Sequence, residues 1–236
     1  MKDRANIQLY NADCLPAMRL MKDNAFDLAI VDPPYGIGIS KVKNIGYGDN
    51  YDHRDGTKIT CKRNEWKVKD WDVAIPTVDY FNELLRVSKN QIIWGINYFN
   101  IKFSSGRVVW NKSQTHNNFI EIAGISSKSN SVIFNFLWNG YAQGKDTENG
   151  HIIQGNKSLY EKRIHPTQKP KSLYRWLLTN YAKEGDRILD THLGSGSIAL
   201  ACWDLGFDLT GYEIDKEYYD GAMKRLNNHK AQIQLF

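Results

Sequence analysis

The sequence predicts an α/β fold with a largely parallel sheet, and three observations carry that prediction. A strand, a helix and a second strand follow one another in the first 31 residues, which is the order of a β-α-β unit. A glycine-bearing turn at 194–199 lies between a later strand and helix, as in many α/β folds. The chain has 236 residues, enough for one sizeable core. We therefore expect residues 1–236 to form one domain.

The composition is that of an ordinary globular protein, with 42% hydrophobic and 24% charged residues. No apolar run is long enough for a membrane span, and no secretory leader follows Met1. Cys14, Cys61 and Cys202 are far apart and lack the spacing of a zinc site or a disulfide framework. We expect a soluble cytoplasmic protein with no bound metal.

Basic residues are concentrated in two polar stretches, at 41–69 and 157–171, and the formal net charge is +5. Basic loops around a nearly neutral scaffold suit contact with phosphate groups. The alternative is an ordinary solvated surface, because runs of this density are common on proteins that bind no polyanion.

The first β-α-β unit comes from three short patterns. Residues 6–12 alternate apolar and polar side chains and predict a strand, and residues 27–31 form a short apolar run that predicts a buried strand. Between them Leu15, Met18 and Met21 mark one face of a helix. Asp13 and Asp32 follow the two strands, so we expect both at the edge of the sheet where ligands of α/β folds bind.

The turn Asp32-Pro33-Pro34-Tyr35 is the stretch that carries the most chemical information. Two successive prolines fix the backbone and remove two N–H donors, which leaves a stiff turn that presents carbonyl oxygens. The Asp32 carboxylate and one carbonyl could accept both hydrogens of an exocyclic amine, and Tyr35 could stack on a planar base. A plain double-proline turn after a strand is the alternative.

The middle of the chain alternates polar segments with ordered elements. Residues 36–75 are rich in polar residues and glycine, and we interpret them as a lid or a DNA-contacting loop. A helix should begin near Pro76, with Val78, Phe81 and Leu85 on its buried face. We predict further strands from four apolar or β-branched runs, at 91–94, 107–110, 119–126 and 131–138.

In the last third of the sequence, the residue pattern predicts a strand, a glycine turn and a helix, which together are typical of a cofactor site. A helix with Leu173 and Leu177 on one face precedes a strand at 186–190, the turn at 194–199 and a helix at 198–205. Glu213 ends the next strand, nineteen positions after Gly194, near the spacing at which an acid binds ribose hydroxyls. From these residues alone the ligand could be a dinucleotide, an adenosyl cofactor or none.

Three motifs in this order resemble a known family. They are Asp-Pro-Pro-Tyr at 32–35, His-Pro-Thr-Gln-Lys-Pro at 165–170 and Asp-x-x-x-Gly-Ser-Gly-Ser at 190–197. The arrangement is similar to that of S-adenosylmethionine-dependent DNA amino-methyltransferases of the permuted class with the catalytic half first, most closely the small phage- and prophage-type adenine N6 enzymes. This resemblance implies a Rossmann-like sheet of seven mostly parallel strands, a target-recognition insertion at 129–164 and a cofactor-binding half at 165–236.

The resemblance also implies a role for each motif residue. Asp32 and Pro33 would hold the target amine in the turn that Pro34 stiffens, and Tyr35 would stack on the base. Glu213 would bind the ribose of S-adenosylmethionine and Asp13 its adenine ring. The remaining cofactor residues would be Cys14, Thr167, Lys169, Asp190, Gly194, Ser195 and Gly196. Thr191 and His192 stand where the family commonly has Pro and Phe, which puts the cofactor affinity in question.

The predicted function is methyl transfer from S-adenosylmethionine to adenine N6 in double-stranded DNA after base flipping. Four alternatives stay open: a cytosine N4 methyltransferase, an RNA adenine methyltransferase, a nucleotide-binding dehydrogenase, and a DNA-binding subunit without activity. The sequence does not reveal the recognition site, a paired restriction nuclease or the oligomeric state, for which a homodimer is one option.

The last five residues, from Gln232 to Phe236, resemble the short peptide by which bacterial proteins dock on the replication sliding clamp. A chain terminus with adjacent apolar residues, here Leu235 and Phe236, can enter a hydrophobic pocket of a partner. The alternative is that these apolar residues pack on the core of their own chain.

Overall fold

The computed structural model describes residues 5–43, 50–52, 58–60, 65–112, 120–127, 130–139, 142–145, 147 and 150–233. Within this part of the chain, a central sheet carries helices on both faces. The strands are β1 (Ile7–Tyr10), β2 (Phe26–Val31), β3 (Asn50–Asp52), β4 (Lys58–Thr60), β5 (Ser88–Trp94), β6 (Gly106–Asn111), β7 (Ile120–Ile125), β8 (Ser131–Asn135), β9 (Arg187–Asp190) and β10 (Asp208–Tyr212). The α-helices are α1 (Cys14–Leu20), α2 (Val78–Val87), α3 (Lys171–Tyr181), α4 (Ser197–Leu205) and α5 (Lys216–Ile233).

The central sheet has eight strands in the order β1-β10-β9-β2-β5-β7-β6-β8. In the sheet, β1, β10, β9, β2 and β5 lie side by side and are all parallel. Strand β7 is antiparallel to both of its neighbours, β5 and β6, and β6 pairs with β8 in parallel. The predicted α/β class and mostly parallel sheet are confirmed. The count of seven strands is wrong by one, because β8 adds an edge strand within the segment interpreted as a target-recognition insertion.

The hydrophobic core lies on both faces of the sheet because side chains alternate along each strand. In β2, Leu28 and Ile30 join a cluster with α3 and α4, whereas Ala29 and Val31 join a second cluster with α1 and α2. A strand buried on both faces reads as a continuous apolar run, which is how β2 was recognised in the sequence.

Helix α2 buries a different face from the one predicted. Tyr80, Phe81, Leu84 and Val87 are buried, while Val78 is 66% exposed and Leu85 is 40% exposed. The prediction that Val78 and Leu85 face the core is therefore wrong. The buried set follows the helical spacing i, i+1, i+4, i+7 from Tyr80, so reading the apolar stripe from Val78 displaced the face by part of a turn.

The C-terminal residues lie partly outside the described part of the chain. Helix α5 continues through Ile233, so Gln232 lies in a helix, and residues 234–236 lie outside the described part of the chain. Docking of the tail on a sliding clamp therefore stays a prediction. None of the described helices has the length and the apolar character needed to cross a membrane.

Candidate active site

Three acidic residues end three neighbouring strands at one edge of the sheet. Asp32 follows β2, Asp190 is the last residue of β9, and Glu213 follows β10. Because the three strands are parallel, their carboxyl ends meet at the same rim, which is where ligands bind in α/β sheets. Asp13 follows β1 on the same rim and caps α1, since its carboxylate accepts a hydrogen bond of 2.9 Å from the Leu15 amide.

The Asp32 carboxylate already has two close partners. The Tyr35 hydroxyl donates a hydrogen bond of 2.6 Å to Oδ1, and the Lys169 ammonium lies 2.5 Å from Oδ2. That Asp32 accepts the amine of a target base stays a prediction, and in the structure its carboxylate contacts a lysine ammonium group. Lys169, which the family resemblance assigned to the cofactor, thus lies in contact with the Asp-Pro-Pro-Tyr turn.

The Tyr35 ring is held in an aromatic pocket. It stacks on Tyr98 with ring centroids 4.8 Å apart and meets Phe99 edge-on. It also lies so close to Gly95 that an added Cβ would come within 2.1 Å of the ring, and Gly95 has a φ of +68°. Both the left-handed backbone and this contact require glycine there. Tyr98 is 44% exposed, so it forms the outer ring of the stack.

Asp72 ties the backbone of the Asp-Pro-Pro-Tyr turn in place. Its buried carboxylate accepts hydrogen bonds from the amides of Tyr35 at 2.7 Å, Gly36 at 2.9 Å and Ile39 at 2.9 Å. Hydrogen bonds to a charged acceptor are among the stronger ones in proteins. Sequence analysis missed Asp72, because nothing in its local sequence distinguishes it from Asp70.

Glu121 of β7 is a second acid in this site that the sequence did not reveal. Its carboxylate lies 2.9 Å from the Lys169 ammonium and also pairs with Lys112. The side chain of Lys169 is only 2% exposed. A buried ammonium requires compensating negative charge, and Asp32 and Glu121 together provide it.

Burial raises the pKa of each carboxyl group of the site, but the net shifts differ in direction. Burial raises the pKa of Asp190 to about 8. A hydrogen bond from the His192 amide opposes this shift, and the nearby charges of Asp32 and Glu213 add to it. Burial also raises the pKa of Asp32, although Lys169 opposes that effect. For Glu121, burial is outweighed by two lysine charges, which lower its pKa to about 2. For Asp190, the charge of Lys169 lowers the pKa too, but less than each of the other causes changes it.

The glycine turn is shaped by backbone conformations that glycine adopts easily. Gly194 and Gly196 have φ values of +53° and +71°, in the left-handed region. An added Cβ on Gly196 would lie 2.9 Å from the Cβ of Ala222, so α5 packs directly against the turn. The Glu213 carboxylate accepts the amides of Gly194 at 2.7 Å and Asp215 at 2.8 Å, which fixes the turn against the end of β10.

Arg225 of α5 holds the other side of the turn. Its guanidinium donates to the Ser195 carbonyl at 3.1 Å and to the Ser197 hydroxyl at 2.8 Å. It also pairs with Glu161 at 2.5 Å. Ser195, predicted as a cofactor residue, is therefore buried and anchored to α5. The spacing of Arg225 from the turn gave no sequence signal for this contact.

The segment at 165–170 lies next to the glycine turn. The His165 ring packs between Trp71 and Tyr218, with ring centroids 5.0 Å and 4.2 Å away. Thr167 places its hydroxyl 3.2 Å from His165 Nδ1. Burial lowers the pKa of His165 to about 3, and nearby lysine charges lower it too. The imidazole is thus neutral near pH 7 and acts here as a packed ring.

The end of the polar loop at 36–75 is anchored to the cofactor half. The Lys69 ammonium lies 2.7 Å from Asp215 and 3.2 Å from Glu217, and Lys67 lies 2.9 Å from Glu217. Asp215 follows Glu213 closely in the chain, so this part of the loop lies beside the predicted ribose acid. Its role as a lid or as a DNA contact stays a prediction.

The two residues that depart from the family pattern are built into the core beside α2. The Thr191 hydroxyl lies 2.7 Å from the Tyr80 hydroxyl, and the His192 ring meets the Tyr80 ring edge-on. Burial lowers the pKa of His192 to about 4. The neighbouring Cys14 is buried, and burial together with the charge of Asp13 raises its pKa to about 12. Cys14 is therefore a packing residue and not a thiolate near pH 7.

Among the described residues, no group of three or more His, Cys, Asp or Glu side chains is arranged to hold a metal ion.

The sequence profile of a DNA methylase family, which covers enzymes acting at adenine N6 or cytosine N4, matches residues 81–224. The match spans more than half of the chain. The chain belongs to this DNA methylase family.

Individual relatives agree with this assignment over nearly the whole chain. Type II methyltransferase M.HpaI of Haemophilus parainfluenzae is 24% identical over 253 residues, which cover 94% of this chain and 74% of the relative. A solved M1.HpyAVI complex with S-adenosylmethionine has a TM-score of 0.53 at 22% identity, covering 94% of this chain and 99% of that one. The cytosine-N4-specific PvuII DNA methyltransferase has a TM-score of 0.54 at 12% identity, covering 98% and 93%. The two structures show that the DNA methylase fold is shared.

Proposed function

We propose that this DNA methylase transfers the methyl group of S-adenosylmethionine to adenine N6 in double-stranded DNA. The observation that carries the proposal is the common rim on which Asp32, Asp190 and Glu213 end three adjacent strands. One rim can hold a donor and an acceptor side by side, and holding two reactants in the right geometry supplies much of an enzyme's rate enhancement.

The residues on the cofactor side fit S-adenosylmethionine by their charge. The cofactor supplies an electrophilic methyl group on a positively charged sulfur. Asp190 is a buried carboxyl whose pKa is raised chiefly by burial, and a positively charged group of a ligand beside it would favour its ionised form. Gly194 leaves room for close approach, since the nearest atoms that an added Cβ would meet belong to the His165 ring, at 3.8 Å. Asp190 and Gly194 would hold the aminoacyl part and Glu213 the ribose hydroxyls.

On the acceptor side, Asp32 and the Pro33 carbonyl would accept the two hydrogens of the target amine. The lone pair of such an amine is delocalised into the base, and hydrogen bonds from both hydrogens favour a pyramidal nitrogen that can attack. The groups are fixed before the reaction, so they stabilise the developing charge without reorganising. The target base must leave the duplex to reach them, at a cost of a few kcal/mol.

The aromatic pair offers a surface that offsets part of this cost. Tyr35 is covered on one side by Tyr98, and Tyr98 is exposed. A flipped base would therefore meet the Tyr35–Tyr98 pair and not an isolated Tyr35 ring. Stacking of a base on an aromatic side chain contributes about 1–3 kcal/mol.

The choice of adenine rests on the resemblance of Asp-Pro-Pro-Tyr to the adenine enzymes, since the acceptor chemistry is the same for cytosine N4. The test is to incubate the purified protein and methyl-deuterated S-adenosylmethionine with unmethylated genomic DNA and, in a parallel reaction, with unmodified RNA. Each nucleic acid is then digested, and the labelled nucleoside is identified by mass spectrometry. We expect labelled N6-methyladenine. Labelled N4-methylcytosine alone would overturn the base assignment, and labelling of RNA but not of DNA would overturn the substrate.

A further inference from the structure

The Lys169 ammonium occupies an oxygen of Asp32 that the proposed reaction needs. Tyr35 takes Oδ1 and Lys169 takes Oδ2, at 2.6 Å and 2.5 Å. A target amine that donates to Asp32 must share or replace one of these contacts. Lys169 is the more consequential of the two, because it is a charged group with almost no exposure to solvent.

A buried ammonium cannot give up its counter-ion without a second one in reach. Taking an unpaired charge out of water costs several kcal/mol. Glu121 of β7 lies 2.9 Å from the Lys169 ammonium and belongs to a different strand from the one that leads into the turn. When the amine of the target base donates a hydrogen bond to the Asp32 carboxylate, the Lys169 ammonium can stay paired with Glu121 while moving very little.

A second lysine also favours the charged form of Glu121. Lys112 forms a second ion pair with its carboxylate, and the Lys112 ammonium lies over the Trp110 ring at 4.9 Å. The chain Lys112–Glu121–Lys169–Asp32 thus alternates positive and negative groups from the sheet to the catalytic turn. Of the two acids in this series of charges, Asp32 belongs to the Asp-Pro-Pro-Tyr turn. In the described contacts, Glu121 touches neither that turn nor the glycine turn.

We propose that Glu121 is a positioning residue for methyl transfer, which retains the Lys169 ammonium while Asp32 accepts the target amine. This proposal rests on the proposed function, because it assigns Asp32 to the amine. Glu121 acts through Lys169 and need not contact DNA or cofactor.

The kinetic test compares Glu121→Gln with Glu83→Gln. Both acids pair with a cation and both side chains are 22% exposed, but Glu83 pairs with Arg86 on α2, away from the site. We expect Glu121→Gln to lower kcat roughly tenfold or more, with the KM for DNA and the Kd for S-adenosylmethionine within about twofold of the parent. Glu83→Gln should leave all three within about twofold. A Glu121→Gln kcat within twofold of the parent would overturn the proposal.

A double-mutant cycle guards against a folding defect in the single variant. Removing both partners of a buried pair costs less stability than removing one, because no charge is left unpaired. If Glu121 acts through Lys169, adding Glu121→Gln to Lys169→Met should change kcat by less than about twofold, since interacting residues are not additive. A full additional loss in the double variant would show that Glu121 acts by another route, and would overturn the proposal.

A spectroscopic measurement separates this proposal from the proposed function. In protein labelled with ¹⁵N-lysine, the ammonium signal that disappears in Lys169→Met identifies Lys169. We expect this signal to shift or broaden in Glu121→Gln and to stay unchanged in Glu83→Gln. An unchanged signal in Glu121→Gln would overturn the role of Glu121 whether or not the parent methylates DNA. Failure of the parent to methylate any DNA would instead refute the proposed function.

Discussion

The amide of Gly194 donates a hydrogen bond of 2.7 Å to the carboxylate of Glu213, nineteen residues later in the chain. The two residues come from the turn after β9 and from the end of β10. Their contact joins the part of the site proposed for the aminoacyl group to the part proposed for the ribose. Each oxygen of Glu213 accepts one backbone amide, and a carboxylate has lone pairs for further donors.

Glu213→Gln should weaken the binding of S-adenosylmethionine by about 1.5–3 kcal/mol, the scale of a hydrogen bond to a charged group. The amide side chain keeps one oxygen for the Gly194 amide, so the variant should remain folded. Calorimetric titration with the cofactor measures the effect, and circular dichroism controls for the fold. An unchanged affinity would reject Glu213 as the ribose acid.

Asp32→Ala should abolish methyl transfer and leave the cofactor affinity within about threefold of the parent, because the proposal places Asp32 against the amine. The Lys169 ammonium keeps Glu121 as its counter-ion in this variant, so the protein should still fold. Methyl transfer to DNA and calorimetry on the same preparation give the two results. Loss of cofactor binding in a folded variant would assign Asp32 to the cofactor side instead.

Asp72→Ala should lower the free energy of unfolding by about 3 kcal/mol and slow methyl transfer. The substitution leaves the amides of Tyr35, Gly36 and Ile39 without their acceptor, and each buried unsatisfied donor costs about 1–3 kcal/mol. Urea unfolding measures the stability. Asp70→Ala is the matched control, because the Asp70 side chain is 86% exposed; equal losses in the two variants would count against the role of Asp72.

Asp190→Asn should become more stable relative to the parent as the pH rises. The folded pKa of Asp190 is raised from its usual 3.8 to about 8, so the folded state holds this proton more tightly than the unfolded state. The resulting stability is complete below pH 4 and is lost as the pH rises towards 8. Asparagine carries no such proton. Urea unfolding at pH 5 and pH 8.5 measures the free energy of unfolding of both proteins, and the value for the variant relative to the parent should be higher at pH 8.5. A difference that does not depend on pH would contradict the buried, proton-binding state of Asp190.

The sequence was informative wherever function depends on neighbours in the chain. Asp32 follows a buried apolar strand, and Glu213 follows another after a glycine turn, so both could be assigned to the rim from local pattern. The contacts of Asp72 and Glu121 are different in kind. Asp72 reaches back 37 residues to Tyr35, and Glu121 of β7 pairs with Lys169, which lies far along the chain before α3. Such pairs depend on the path of the chain, which local periodicity does not encode.

The hydrogen bonds from the backbone at and after the Asp-Pro-Pro-Tyr turn to Asp72 have an evolutionary consequence. Both ends of the intervening chain are fixed by the carboxylate itself, from Ile39 on one side to Asp72 on the other. Doubling the length of a flexible loop costs only about 0.6 kcal/mol in closure entropy. An insertion between these two anchors would therefore keep the hydrogen bonds of Asp72 to Tyr35, Gly36 and Ile39, so the chain could change in length there without moving the turn that follows Asp32.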